Sequence, residues 1–205
     1  MMKNCVFLFV LAVSLYACEQ TDRELPILGE TTLDKSTGEV IHYQAPSFSF
    51  TSQLGQEFSD VQVKGKVSVV DFFFSSCPTI CPQMTNHLKL VQDHFENEDR
   101  LRIISYSIDP KYDTPARLAE YADYHGINGD QWALLTGFET DVFEVAKDYK
   151  VRAFDDGRDE VPGLIHDGTF VLVDEQRRIR GYYNGLEPSE IDRLIDDIAL
   201  LLKAM

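Results

Sequence analysis

Apolar and polar positions along this chain change period several times, and the changes mark out elements. The stretch 46–59, "PSFSFTSQLGQEFS", alternates about Gly55 and predicts a short hairpin. At 67–74, "VSVVDFFF" is a nearly continuous β-branched and aromatic run, as expected of a strand buried on both faces. A helix opening at Pro82 follows, with Met84, Leu88, Val91 and Phe95 at helical spacing. "LRIISYSI", 101–108, reads as the next strand. Thr114 and Pro115 are an N-cap and first-turn pair for a helix carrying Leu118, Tyr121, Ala122 and His125. "QWALL" is a short strand, and Val142, Val145, Ala146 and Tyr149 mark a third helix. "TFVLVD" and "RRIRGYY" form a strand pair across a charged turn. Pro188 opens a last helix bearing Ile191, Leu194, Ile195, Ile198 and Leu202.

The order is hairpin, β, α, β, α, β, α, β, β, α. Alternating strands and helices imply an α/β architecture with parallel strands joined by crossovers. The closing antiparallel pair and terminal helix suit a thioredoxin-like fold with an N-terminal β-hairpin extension and inserted elements. In such sheets, sites collect outside the carboxyl ends of the parallel strands.

The N-terminus has a different pattern. Lys3 precedes the apolar run "CVFLFVLAVSLYAC", which is short for a membrane span and fits the core of a secretory signal. Its end, Leu15-Tyr16-Ala17-Cys18, resembles the lipobox of bacterial lipoproteins, in which the chain is cut before an acylated cysteine. Residues 1–17 are therefore expected to be a signal peptide. Residues 18–45, polar and without clear period, are expected to be a lipid-anchored tether, and 46–205 the folded domain. The protein is expected to be exported and held at Cys18 on the periplasmic side of a bacterial membrane.

Composition narrows the partners. The chain has 205 residues, enough for one domain with a full core, and a formal net charge of -15. So acidic a surface repels phosphate backbones and argues against nucleic acid. Of four cysteines, Cys5 leaves with the signal and Cys18 would carry lipid. Cys77 and Cys81 remain as thiols, in a compartment that permits disulfides.

These two lie in "FSSCPTICPQM", just after the buried strand, and each is followed by proline. Pro82 biases Cys81 away from helical backbone, making it the expected N-cap. Both sulfurs then sit at a helix N-terminus, which favours thiolate. An inert disulfide would close only a tiny loop and constrain little. Thiol–disulfide exchange is open to them, although three residues intervene rather than the usual two. A metal site is equally open, since two soft thiolates favour Cu(I) or zinc.

A third ligand would have to come from five histidines. His42 lies near the tether, His87 and His94 flank the stripe of the first helix, and His125 ends the second. His166 precedes a core strand, in the loop that faces the cysteines in a thioredoxin fold. Two thiolates and an imidazole suit Cu(I), and the nitrogen also suits Cu(II). Asp167 could add a fourth ligand and admit zinc, orient the imidazole, or simply serve a turn.

At this point four blocks in order resemble the Sco/SenC family, over roughly residues 46 to 204. "DFFFSSCPTICPQM" is similar to its aromatic strand and C-P-x-x-C-P motif, and "SIDPKYDTPARLAEYA" to its D-P-x-x-D-T-P segment. "WALLTG" and "GLIHDGTFVLVDE" resemble its later landmarks. The resemblance implies a thioredoxin-like domain binding one copper through Cys77, Cys81 and His166. Asp109 and Asp113 match the family's paired carboxylates near the site. It also implies delivery of copper to the binuclear copper-centre subunit of a cytochrome c oxidase, with copper donor or thiol reductant proteins as further partners. The alternative is a thiol–disulfide oxidoreductase, with Cys77 and Cys81 catalytic, that keeps the oxidase's own cysteines reduced.

Overall fold

The computed structural model describes residues 23–155 and 164–205. The expected signal peptide and Cys18 lie outside the described residues.

The elements in chain order are β1 (Thr31–Leu33), β2 (Val40–His42), β3 (Ser49–Ser52), β4 (Glu57–Ser59), β5 (Val67–Phe73), α1 (Cys81–His94), β6 (Leu101–Ser107) and α2 (Pro115–His125). There follow β7 (Trp132–Thr136), α3 (Glu139–Asp148), β8 (Ala153–Asp155), β9 (Leu164–His166), β10 (Thr169–Val173), β11 (Ile179–Asn184) and α4 (Pro188–Ala204). A seven-stranded sheet in the order β11-β10-β5-β6-β7-β3-β4 carries the core. β5, β6 and β7 run parallel, as the crossover helices require, and β10 joins β5 antiparallel.

All seven residues of β5 are buried, as its unbroken apolar run demands of a strand covered on both faces. The expected hairpin is β3–β4, and it extends the sheet by pairing β3 with β7. Met84, Leu88 and Val91 form the buried stripe of α1, and Ile191, Leu194 and Ile198 that of α4. Thr114 caps α2 as read, its hydroxyl accepting from Arg117 N–H at 3.3 Å. Thr114→Ala should therefore lower unfolding free energy by about 1 kcal/mol, seen as an earlier urea midpoint with unchanged slope.

Three details depart from the sequence expectation. First, much of the stretch read as tether is folded. Leu25 and Ala45 are buried, and Leu28 bridges to Ile179 at the sheet edge. The nearly buried Arg180 guanidinium donates to the carbonyls of Leu25 and Pro26. β1 and β2 then make a separate hairpin. This segment shows no amphipathic period because it is held by an edge strand and an arginine, not by an apolar face of its own. The packed body thus begins well before Pro46.

Second, Cys81 is the first helical residue of α1 and Ile80 is the N-cap. Met84 N–H bonds Ile80 C=O at 3.0 Å, so the helical turn starts one residue ahead of the bias imposed by Pro82. The missing N–H of Pro82 falls in the first turn, where no intrahelical acceptor exists. Third, His166 is not in a loop. It ends β9, which pairs with β8 in a small sheet of its own, with Ala153 opposite His166.

Candidate metal centre

The topology decides where the chemistry gathers. β5 runs upward into the cysteine loop, and β10 runs down beside it, with Val171 opposite Val70. The chain entering β10 therefore lies against the carboxyl end of β5. Between β9 and β10 the backbone reverses at Asp167-Gly168, where Gly168 has φ +72°, a conformation glycine adopts without strain. The Asp167 carboxylate accepts from Thr169 N–H and Arg152 N–H, each at 3.2 Å. This tight reversal carries His166 over the start of α1.

His166 Nε2 lies 3.1 Å from Cys81 Sγ. The ligand atoms of Cys77, Cys81 and His166 all lie within 4.8 Å of one another, and all three residues are buried. The Phe74 ring meets the imidazole edge-on at 6.0 Å and fixes its plane. The structure thus brings together the three residues singled out in the sequence. Both cysteines are free thiols.

The two sulfurs are not equivalent. A hydrogen bond from Cys81 holds the Cys77 thiol well below its ordinary range, with help from His166 and Thr79. The same bond, together with burial, pushes Cys81 up. Of the two sulfurs, Cys77 is therefore the one that favours negative charge. Cys77 also lines an open groove of ≈ 780 Å³ between α1 and α2, bordered by Ser75, Pro82, Arg117 and Tyr121. Cys77 is the sulfur that faces outward and Cys81 the one turned toward His166.

The remaining candidates fall elsewhere. His87 Nδ1 contacts Gly185 C=O at 2.7 Å, His94 meets Phe95 edge-on and His125 lies tilted against Tyr121. Burial lowers the pKa of His125, which works against the charged form expected at a helix end. Asp167 is exposed and committed to its turn. Asp109 and Asp113 divide their roles. Asp113 is wholly buried and accepts from Ser75 N–H at 3.0 Å, from Ser75 Oγ and from Ser107 Oγ at 2.5 Å. It ties the start of the cysteine loop to the end of β6. Asp109 is partly buried, and burial followed by the charge of Asp113 raises its pKa.

Ser75, Ser107 and Asp71 were not singled out from the sequence. The two serines carry no pattern of their own and matter only through Asp113. Asp71 did carry a signal: an acid in the middle of an apolar strand.

The donor set fits a soft cation. Two sulfurs and an imidazole nitrogen converge, with no fourth protein ligand in the group among the described residues, whereas structural zinc takes four. His166 Nδ1 is buried without a hydrogen-bond partner among the described residues, leaving Nε2 as the nitrogen aimed at the sulfurs.

Comparison with known proteins places the chain and its fold in a lineage. The SCO1/SenC family model matches residues 39–203. The chain belongs to the SCO1/SenC family. The SCO1 protein homolog of Bacillus subtilis (strain 168) is 35% identical over 162 residues, covering 77% of this chain and 82% of its own. A SCO1/SenC family lipoprotein from Bacillus anthracis superposes with a TM-score of 0.71 at 29% identity, over 78% of this chain and 95% of that one. BsSco, described as a member of the Sco family of cytochrome c oxidase assembly proteins with a disulfide switch, gives 0.67 at 33% identity, over 78% and 93%. The Sco match begins at residue 39, within the stretch expected to be tether and ahead of Pro46, in line with the packing of Ala45 on the sheet edge.

Proposed function

We propose that this chain is an exported copper-binding protein that serves assembly of a cytochrome c oxidase and passes copper to its copper-centre subunit. The observation that carries the reading is the convergence of Cys77, Cys81 and His166 within 4.8 Å at the carboxyl end of the parallel strands. These three residues would hold the ion through two sulfurs and Nε2. The ion would supply the client with the metal itself; the chain's own part is to bind it reversibly.

The geometry supports reversibility. Cys77 opens onto the groove, where an incoming thiolate can compete for the ion, while Cys81 and His166 stay behind it. A three-ligand site leaves room for that incoming donor. The lipobox-like Cys18 and the likeness to a B. anthracis Sco lipoprotein support a lipid anchor on the periplasmic side. Mass spectrometry of membrane-extracted protein should show an acylated residue 18 at the mature N-terminus; an unmodified, soluble product ends the anchor reading.

The deciding experiment is a Cu(I) titration of reduced protein against a competing chelator, for the wild type and His166→Ala. Loss of a ligand should weaken binding by more than the roughly 10–100-fold typical of disturbing a ligand's supporting partners. Unchanged affinity in the variant removes His166 from the ligand set. A second reading, thiol–disulfide exchange at Cys77 and Cys81, is favoured by one observation: the outward sulfur is the one held as thiolate. His166→Ala should leave exchange with a small-molecule disulfide largely intact.

A further inference from the structure

The groove that Cys77 opens onto has a wall supplied by α2, made of Arg117, Glu120, Tyr121, Tyr124 and His125. They fall at i, i+3, i+4, i+7 and i+8, the spacing with which a surface helix buries an apolar stripe. The buried residues of α2 are different ones, Leu118 and Ala122. The stripe facing the groove holds rings and an ion pair instead. His125 lies 4.3 Å from Tyr121 and 4.9 Å from Tyr124, centroid to centroid, so the three rings form one cluster. Arg117 pairs with Glu120 at 3.4 Å and lies over the Tyr112 ring at 5.1 Å. The two charges offset each other, and the wall offers ring surface more than a field. Across the groove, α1 contributes Pro82 and, one turn on, the exposed amide of Asn86, which can both donate and accept. Thr85 Oγ1 and Tyr121 OH, 2.7 Å apart, bridge the two helices.

The groove has a direction. Asp113, just ahead of α2, accepts from Ser75 N–H, two residues before Cys77, so the start of α2 lies at the cysteine end. Tyr124 stands two turns beyond Arg117, about 10 Å along the helix, which equals about three residues of extended chain. A single amino-acid thiol reacting at Cys77 cannot also reach the rings, whereas a short run of polypeptide can. The volume of ≈ 780 Å³ lies within the range of about 300–1,000 Å³ that holds a drug-sized ligand, the size of a few residues. Tyr124 is 85% exposed at the far end, and tyrosine and arginine are the residues that most often anchor a partner.

We propose that this groove docks an extended segment of a partner protein, with the segment's cysteine at Cys77 and an aromatic side chain three residues away on the Tyr121, His125 and Tyr124 cluster. The inference deepens the copper-passing reading and rests on it for its purpose. It gives the incoming thiol a track that ends at the outward sulfur and a means of telling one thiol-bearing segment from another.

The test uses the reduced, metal-free full chain and blocked tetrapeptides activated as mixed disulfides with thionitrobenzoate. The Cys77 thiolate attacks the peptide sulfur and a Cys77–peptide S–S bond forms. The peptide–thionitrobenzoate bond breaks, and coloured thionitrobenzoate leaves with the electron pair. The probes are Cys-Ala-Ala-Phe, Phe-Ala-Ala-Cys and their all-alanine counterparts, with the hydroxyethyl mixed disulfide as a reagent too small to reach the rings. Rates are read as the part lost in Cys77→Ser. Each peptide rate is divided by the hydroxyethyl rate on the same protein, so any change in Cys77 itself cancels. In one of the two orders the phenylalanine peptide should react about fivefold or more faster than its alanine counterpart, and Tyr124→Ala should abolish that advantage. Equal rates in both orders overturn the proposal, as does an advantage that survives in Tyr124→Ala. So does a hydroxyethyl reaction no faster than in Cys77→Ser, since the groove would then not present the sulfur. The Cu(I) titration above judges the copper reading separately: equal peptide rates with tight Cu(I) binding remove the docking groove alone, and a peptide preference without Cu(I) binding removes the copper reading alone.

Discussion

Replacing Asp113 with alanine is expected to unseat the cysteine loop and to cost more stability than any surface change in the molecule. The wild-type carboxylate is wholly buried and satisfies three donors, Ser75 N–H, Ser75 Oγ and Ser107 Oγ. Alanine removes the acceptor for all of them. The hydroxyls can turn to other acceptors, but the Ser75 backbone N–H cannot, and an orphaned buried donor costs about 1–3 kcal/mol. With the cavity added, a loss of about 3 kcal/mol is expected, measured by urea unfolding. The second readout is specific to the site. Ser75 stands two residues before Cys77, so freeing it widens the sulfur spacing and should weaken Cu(I) binding well beyond the change in Thr114→Ala. Asp113→Asn keeps the shape and an acceptor oxygen for Ser75 N–H, and should recover most of both losses. If Asp113→Ala binds copper as tightly as wild type, the loop holds its own shape and Asp113 belongs to α2 alone.

The sequence was most legible where one force dominates. The run from Val67 could only be a strand covered on two faces, and Thr114-Pro115 could only open a helix. The site was legible too, because a parallel sheet gathers its loops at one end and His166 precedes the strand that lies beside β5. What escaped was decided by tertiary partners. Nothing local reveals that Arg180 reaches 155 residues back to the Leu25 carbonyl, so the polar N-terminal stretch read as tether. Pro82 argued for Cys81 as a cap, yet the turn closes from Ile80, and the Cys81 side chain lies inward against His166. Ser75 and Ser107 look like ordinary loop and strand serines until Asp113 joins them. Asp71 was visible as an acid in an apolar run, but its hydrogen bond from Ser105 on the neighbouring strand was not.

The inequality of the two sulfurs leads to the second large effect. In reduced, metal-free wild type, Cys77 should alkylate at a rate nearly independent of pH from 8 down to about 5, because it is already thiolate. The main cause is the hydrogen bond from Cys81, with His166 and Thr79 as lesser contributors. Cys81→Ala deletes the main cause and leaves the lesser ones. The Cys77 pKa should then rise toward the free-thiol range and stop short of it. Below the new pKa its alkylation should fall about tenfold for each pH unit, since only the thiolate reacts. The sign is fixed: a depressed thiol pKa means reactivity persists into acid, and raising it removes reactivity from the acid side first. His166→Ala should produce a smaller shift in the same direction, and Thr79→Ala a smaller one still, their contacts with Cys77 being secondary. Iodoacetamide kinetics with mass-spectrometric assignment of the modified sulfur measures all three. A flat profile in Cys81→Ala would place the origin of the thiolate elsewhere, in the N-terminus of α1, and the ordering of the two sulfurs would no longer depend on their contact.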